Sequence, residues 1–384
     1  MQLYRFTFGI SCLAAALYGQ PHYMVQGVGI APGFATSTAS AVNENGLVVG
    51  YSSTVKDANG HVTNLGFTSK PTACTPAPME TINGVTVPIA IDNDEMIAGT
   101  ETSSGTPRAF AVRHGFADAV DLGGAFQTHA LAMSDYSVVA GYQALADNLS
   151  ETAVYWTTHF QNSVTTTTGP HELPEVVVNP PSGKGPVNRA TGINHFGQIV
   201  GWMNAGSEVW GMSLSPGAAS WTRITPVPAS PNVFGLNLST KPTAVSRQGH
   251  VAGIAGLNFN VVHAFLSKNF SQPAIDLGTL IPSDPTMVSI ANAINANDWV
   301  VGASSTVNNE VHAFLYNGAS MIDLNSRLLN PTGWILTAAH AISDNGVIVG
   351  EGFHNGRQEG FVLFPEFLPI NPCSIVSVPI SWNP

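Results

Sequence analysis

The chain predicts an all-β fold, a seven-bladed β-propeller of four-stranded blades, on three observations. One ten-residue pattern occurs seven times along the 384 residues. Each period holds up to four short apolar or β-branched runs separated by turn residues. Outside the N-terminus, no segment longer than about a dozen residues carries the apolar period of a helix.

The pattern opens with Ala or Gly, an apolar residue and Asn, Asp or Ser. Three loose residues follow, then an apolar run ending in Gly. The copies are 41–50, 90–99, 132–141, 192–201, 244–253, 293–302 and 341–350. Successive final glycines are 49, 42, 60, 52, 49 and 48 residues apart. A period of this size marks a repeat architecture, in which each unit buries its apolar faces only against its neighbours.

The elements follow in chain order. Residues 1–20 read as a secretory leader: Arg5 is the only cation, Phe6 to Leu17 is mostly apolar, and Ala14-Ala15-Ala16 offers a small-x-small cleavage pattern. The apolar stretch is too short for an ordinary membrane-spanning helix. Tyr23 to Gly29 then resembles a fourth strand without its first three. It can complete the seventh blade, for which the C-terminal stretch Cys373 to Val378 is a rival. Either closure would remove exposed sheet edges.

The sixth copy shows a whole unit. Ile290 to Asn295 is a short apolar strand, and Ala296-Asn297-Asp298 suits a tight reversal. Trp299 to Gly302 is the second strand, His312 to Tyr316 the third, and Met321 to Leu324 the fourth. Four strands of about 5–6 residues fill such a period. The third strand recurs at Arg108 to Val112, Thr152 to Trp156, His263 to Leu266 and Gly360 to Phe364, more weakly at Gly66 to Thr68 and Val209 to Met212. The fourth recurs at Val120 to Gly123 and Ile275 to Gly278, and is hard to recognise in copies one, three and four. A propeller has about 4–8 blades of this kind; an open β-solenoid is the alternative. The expected domain is a single propeller over 21–366, followed by a C-terminal tail at 367–384.

Charged residues are 10% of the chain and the net charge is −11, with 13 Lys and Arg and no basic cluster. This balance excludes nucleic acid and anionic membrane surfaces as expected partners. It suits an extracellular all-β protein. With the leader removed, Cys74 and Cys373 remain, in the first unit and just after the seventh. In a closed ring these units are neighbours, so a Cys74–Cys373 disulfide would be a second clasp; two separately buried thiols are the alternative.

Together, Ala-x-Ala-Ile-Asn, Val-Val-Gly, His-Ala-Phe and Asp-Leu-Gly resemble the HAF family of extracellular repeats. The best matches are Ala291 to Gly302 with His312-Ala313-Phe314-Leu315, and His263 to Leu266 with Asp276-Leu277-Gly278. Copies one, three and four depart from the pattern, and copy three has Ser137 where Gly is usual. The resemblance covers about nine-tenths of the chain. It implies an exported microbial repeat protein and supplies no catalytic residues.

The repeat residues read mainly as structure. The Asn, Asp or Ser before each hairpin can bond its own turn backbone. The final Gly would permit a strand bend or close backbone approach. His263 and His312 occupy one repeat position in adjacent units, too far apart to share a metal. Asp92-Asn93-Asp94-Glu95 lacks the spacing of a calcium loop and reads as a solvated turn. No zinc-protease motif, nucleophile elbow or phosphate loop occurs. No metal or cofactor is expected.

Two function classes follow. The first is a recognition or adhesion scaffold for an extracellular glycan or protein. Its expected face carries the longer links, at Tyr51 to Asn64, Tyr142 to Glu151 and the insertion His159 to Asn188. Tyr51, Tyr142 and Trp202 directly follow their copies' final Gly and are the candidate ligand-stacking rings; packing between blades is the alternative. The second class is a propeller-type hydrolase or lyase acting on an extracellular polysaccharide, which needs convergent carboxylates at the channel mouth. A sialidase would also need clustered arginines, but Arg189 and Arg247 fall at opposite ends of their inner strands.

Overall fold

The structure, a computed structural model, describes residues 21–366 apart from 74, 117–118, 148, 175–185, 206–207, 229–238, 259–260, 285 and 308–309. The expected leader and tail, Cys74, Cys373 and the rival strand expected at 373–378 lie outside the described residues. Seven antiparallel four-stranded sheets form a seven-bladed propeller. In chain order the first six blades span 36–81, 86–121, 128–172, 188–223, 240–276 and 289–323. The seventh takes three strands from 334–366 and its outer strand from His22–Gly27, which pairs with Arg357–Glu366. The N-terminal strand thus closes the ring, as Tyr23 to Gly29 predicts. No described helix is long and apolar enough to cross a membrane.

Every first strand carries a β-bulge at the same place. In blade six, Ala291 and Ala293 pair with the consecutive Gly302 and Val301, so Asn292 is left unpaired. Ser40, Ile89, Leu131, Thr191, Thr243 and His340 are skipped in the same way. The bulge explains the motif's final Gly. A β-carbon on Gly302 would lie well inside contact distance of the Ile290 carbonyl oxygen, and 3.0 Å from Phe314 Cε1. Gly50, Gly99, Gly141, Gly201, Gly253 and Gly350 meet the equivalent carbonyl just as closely. The bulge bends the first strand over the second, and only a hydrogen fits beneath it.

The third strand supplies the aromatic core. Phe67, Phe110, Phe265, Phe314 and Phe361 are fully buried. The histidine two residues before two of these rings ties the third strand to the fourth: His263 Nδ1 lies 2.9 Å from Asp276 Oδ1, and His312 Nδ1 lies 2.8 Å from Asp323 Oδ2. Arg108 makes the same pairing with Asp121 in blade two. The His-Ala-Phe and Asp-Leu-Gly motifs are therefore two halves of one cross-strand pair, a structural role.

The insertion differs from its expected place. Residues Glu151–Gln161 and Val164–Glu172 form a long hairpin turning at Asn162-Ser163. A turn between third and fourth strands emerges on the face of the short first-to-second turns. About half of the insertion therefore extends away from the long-link face, because its alternating Thr165 to Thr168 run continues the sheet.

Candidate functional site

The first-to-second turns of all seven blades surround the propeller axis. In each turn, Asn43, Asp92, Ser134, Asn194, Ser246, Asn295 or Ser343 accepts backbone N–H groups from its own hairpin. The asparagines also reach the next blade: Asn43, Asn194 and Asn295 donate Nδ2 to the carbonyls of Asp92, Ser246 and Ser343. Three positions later the backbone takes positive φ in every blade, at Gly46, Glu95, Ser137, Gly197, Gly249, Asp298 and Gly346. Ser137 stands where Gly is usual because its hydroxyl donates to Asp92 across the blade boundary.

These turns form the mouth of a funnel of about 1040 Å³, its open entrance included. Its rim is one repeat position seen seven times: Glu44, Asn93, Asp135, His195, Arg247, Ala296 and Asp344. The motif's apolar residue forms a collar beneath, with Met133, Ile193, Val245, Ile294 and Ile342 in the wall. Identical backbone positions thus present seven side chains of varied chemistry.

Neighbouring turns are stitched together. Ala296 N donates to Asp344 Oδ1 at 2.7 Å, Asp344 N to Glu44 Oε1 at 2.7 Å, and Glu44 N to Asn93 Oδ1 at 3.0 Å. Asn45, Asn297 and Asn345 each donate Nδ2 to the next rim carbonyl, and Gln248 does so through Nε2. The junction of blades seven and one therefore repeats the bonds of ordinary junctions, although it joins the two ends of the propeller. Glu44 is the acceptor for both Asp344 N and Asn345 N. Glu44→Ala should cost about 0.5–1.5 kcal/mol, because the two donors it frees are exposed and take water instead. Glu44→Gln should cost less. Denaturant titration with hydrogen exchange at Asp344 and Asn345 checks this; unchanged exchange at both amides would remove Glu44 from the closure.

Blades two, three and four lack this amide. Where blades one, five, six and seven place Asn or Gln, blade two has Asp94, while blades three and four carry Tyr136 and Phe196, 65% and 64% exposed. The Tyr136 and His195 rings lie 4.7 Å apart, and the His195 and Phe196 rings 5.0 Å apart. Tyr136 Oη is 3.2 Å from His195 Nε2. His195 Nδ1 lies 2.9 Å from Asp135 Oδ2 and 3.0 Å from Arg247 Nη2. A protonated Nδ1 donates to Asp135; an unprotonated one accepts from Arg247. Exposed rings, a carboxylate, an imidazole and a guanidinium thus converge on one side of the mouth.

The opposite side is acidic. Burial raises Glu44 above the usual carboxylate range, and Asp344 and Asp135 add to this, against the backbone N–H bonds that lower it. No described Lys, Arg or His pairs with Glu44 or Asp344. Asp92, expected in a solvated turn, is instead 2% exposed beneath the rim. Among the described residues, no group of three or more His, Cys, Asp or Glu is placed to hold a metal.

The three rings named from sequence lie at the other end of the inner strands. Tyr142 stacks on His129, with centroids 4.7 Å apart, and Arg189 of the next blade sits 4.2 Å from its ring centre. Arg189 is also 5.3 Å from Trp202, and Lys241 of the following blade lies 4.8 Å over that ring. Tyr142 and Trp202 are therefore brought together around Arg189, which is forked onto Glu151. Tyr51 does not join them. It lies in blade one, its phenol raised by burial, with Thr38 hydrogen-bonding it and Glu351 of blade seven nearby. All three rings are half-buried and pack along blade boundaries. Arg189 and Arg247 do stand at opposite ends of the propeller.

The sequence singles out the hairpins but not the rim. The available signal was substitution at a constant position: aromatic residues at 136 and 196 replace the amides found at 45, 248, 297 and 345.

The chain matches no protein-family model and no curated protein. Solved structures do match. The β-propeller domain of the Trilobed protease from Pyrococcus furiosus aligns over 87% of this chain and 97% of its own, with TM-score 0.54 and 9% identity. Acylaminoacyl peptidase of Pyrococcus horikoshii aligns over 88% of this chain and 53% of its own, with TM-score 0.53 and 11% identity. A prolyl endopeptidase aligns over 88% and 51%, with TM-score 0.54 and 9% identity. The chain spans about half the length of these two peptidases. At such identities the likeness shows the β-propeller fold and nothing finer.

Proposed function

We propose that this chain is an exported recognition module, its ligand an extracellular glycan or protein held at the funnel mouth on the short-turn face. The leader at 1–20, the low charge and the resemblance to HAF repeats support export. One observation carries the binding reading. At blades three and four an exposed ring, Tyr136 or Phe196, takes the place of the amide that stitches blades one, five, six and seven, and stands beside Asp135, His195 and Arg247. Exposed rings next to fixed polar groups are the components of a ligand site.

Glycan-array and protein-ligand screening of the mature chain tests this. Tyr136→Ala and Phe196→Ala should each weaken a bound ligand about tenfold, as loss of a central aromatic contact does. Trp202→Ala should leave binding intact. Binding lost in Trp202→Ala and Tyr142→Ala but kept in the two rim variants would move the site to the other end of the strands.

A second reading, hydrolysis of a polysaccharide by paired carboxylates, rests on Glu44 and Asp344 sharing one side of the rim, where the Asp344 charge acts on Glu44. Against it, both Glu44 oxygens already hold backbone N–H groups. Turnover on a polysaccharide panel that vanishes in Asp344→Asn would establish the hydrolase.

A further inference from the structure

Charge divides the funnel into two unequal halves. On the side of blades three to five, Asp135 is compensated by Arg247, 3.5 Å away, and by His195. On the side of blades seven and one, Glu44 and Asp344 touch through a backbone N–H and face no described cation. Asp344 Oδ1 accepts from Ala296 N, and no described residue donates to Oδ2. Between these halves, blade six contributes only Ala296, so the rim is lowest there. In blades six and seven the collar contributes Ile294 and Ile342, two residues before Ala296 and Asp344, to the funnel wall.

The funnel thus offers an apolar wall ending at two carboxylates, beneath a gap in the rim. A lysine or arginine side chain has the complementary form, a methylene stem ending in a cation. We infer that the funnel takes a lysine or arginine side chain of a partner polypeptide, its stem against Ile294 and Ile342 and its cation at Glu44 and Asp344. A polypeptide rather than a free amine suits the mouth, because its flanking residues can cover the exposed Tyr136 and Phe196. The net charge of −11 steers a basic partner toward this protein. This inference rests on the recognition reading and narrows its ligand to one class.

The test uses the mature chain and a labelled peptide with one central lysine among glycines and serines, against the same peptide acetylated on that lysine. Fluorescence anisotropy should show the lysine peptide binding at least about tenfold tighter, the size expected for a hydrogen-bonded charge. Asp344→Asn keeps an oxygen for Ala296 N, so it should fold with an unchanged melting temperature yet bind about tenfold more weakly. Ala296→Arg supplies a cation from the rim itself and should abolish binding. Lys241→Ala, at the far end of the strands, should change nothing. Equal binding of both peptides, or undiminished binding in Asp344→Asn and Ala296→Arg, overturns the inference. A neutral glycan lost in Tyr136→Ala but indifferent to Asp344→Asn would overturn it while leaving the recognition reading standing.

Discussion

Gly302→Ala is expected to destabilise the propeller by about 2–4 kcal/mol, at the upper end of overpacking substitutions. The added methyl meets the Ile290 carbonyl, a backbone atom with no rotamer to escape into, and crowds Phe314 behind it. Relief requires flattening the bulge at Asn292, which shifts the register of the inner strand and turns Ile294 away from the collar. The glycine is not required for an unusual φ, since Gly302 lies outside the left-handed region. The effect should therefore be steric and recur in every blade. Gly141→Ala is the informative companion. Blade three has Val154 in place of the buried phenylalanine, yet the His129 carbonyl blocks Gly141 just as closely. Denaturant unfolding of both variants should give similar losses. A loss below about 0.5 kcal/mol in both, the range of an ordinary surface change, would mean that the bulge relaxes freely.

That glycine shows how far the fold was legible. Its spacing gives the blade count, because one steric requirement returns once per unit. The bulge that creates the requirement was not legible: residues 40, 89, 131, 191, 243, 292 and 340 share no side-chain chemistry, as the skipped residue is defined by backbone geometry. The closing strand was readable because Tyr23 to Gly29 has strand composition and no partners of its own. The fourth strands were the weakest signal, and four of them are only two residues long.

The site was harder to read than the fold. The long links lie on one face, yet the funnel opens among the short turns. Tyr51, Tyr142 and Trp202 follow the motif glycine, so they are fixed in position and easy to find. The same fixed position sets Tyr142 and Trp202 against the cations of the next blade. The rim lies among the three loose residues of the motif. Their looseness reflects a turn held by the preceding Asn, Asp or Ser, so the rim side chain answers to the neighbouring blade: Asn93, Glu44 and Asp344 accept from the adjoining turn, while Asp135, His195 and Arg247 meet one another.

Asp92→Asn is expected to stabilise the protein by up to about 3 kcal/mol near neutral pH. Asp92 stands where Asn43, Asn194 and Asn295 stand in other blades, and it is buried. Burial raises its carboxyl to about 6; bonds from Ser137 and Met96 N oppose this, and Asp94 adds to it. The unfolded value is 3.8. A shift of this size corresponds to roughly 3 kcal/mol between the two protonation states. Because the folded value is the higher one, the native state holds the proton more tightly. The favourable contribution is full below pH 3.8 and is lost as pH rises through about 6. Asparagine keeps an acceptor for Met96 N, carries no charge, and brings the Nδ2 donor that its counterparts give to the next blade. Asp276, Asp298 and Glu351 titrate below their usual range and tilt stability the opposite way, so the difference between variant and wild type is the quantity to measure. That difference should be smallest near pH 4, grow through pH 6 and level off above it. A constant difference from acid to neutral pH would show that Asp92 titrates normally in the fold. A variant less stable than wild type at neutral pH would show that the Ser137 bond outweighs the buried charge.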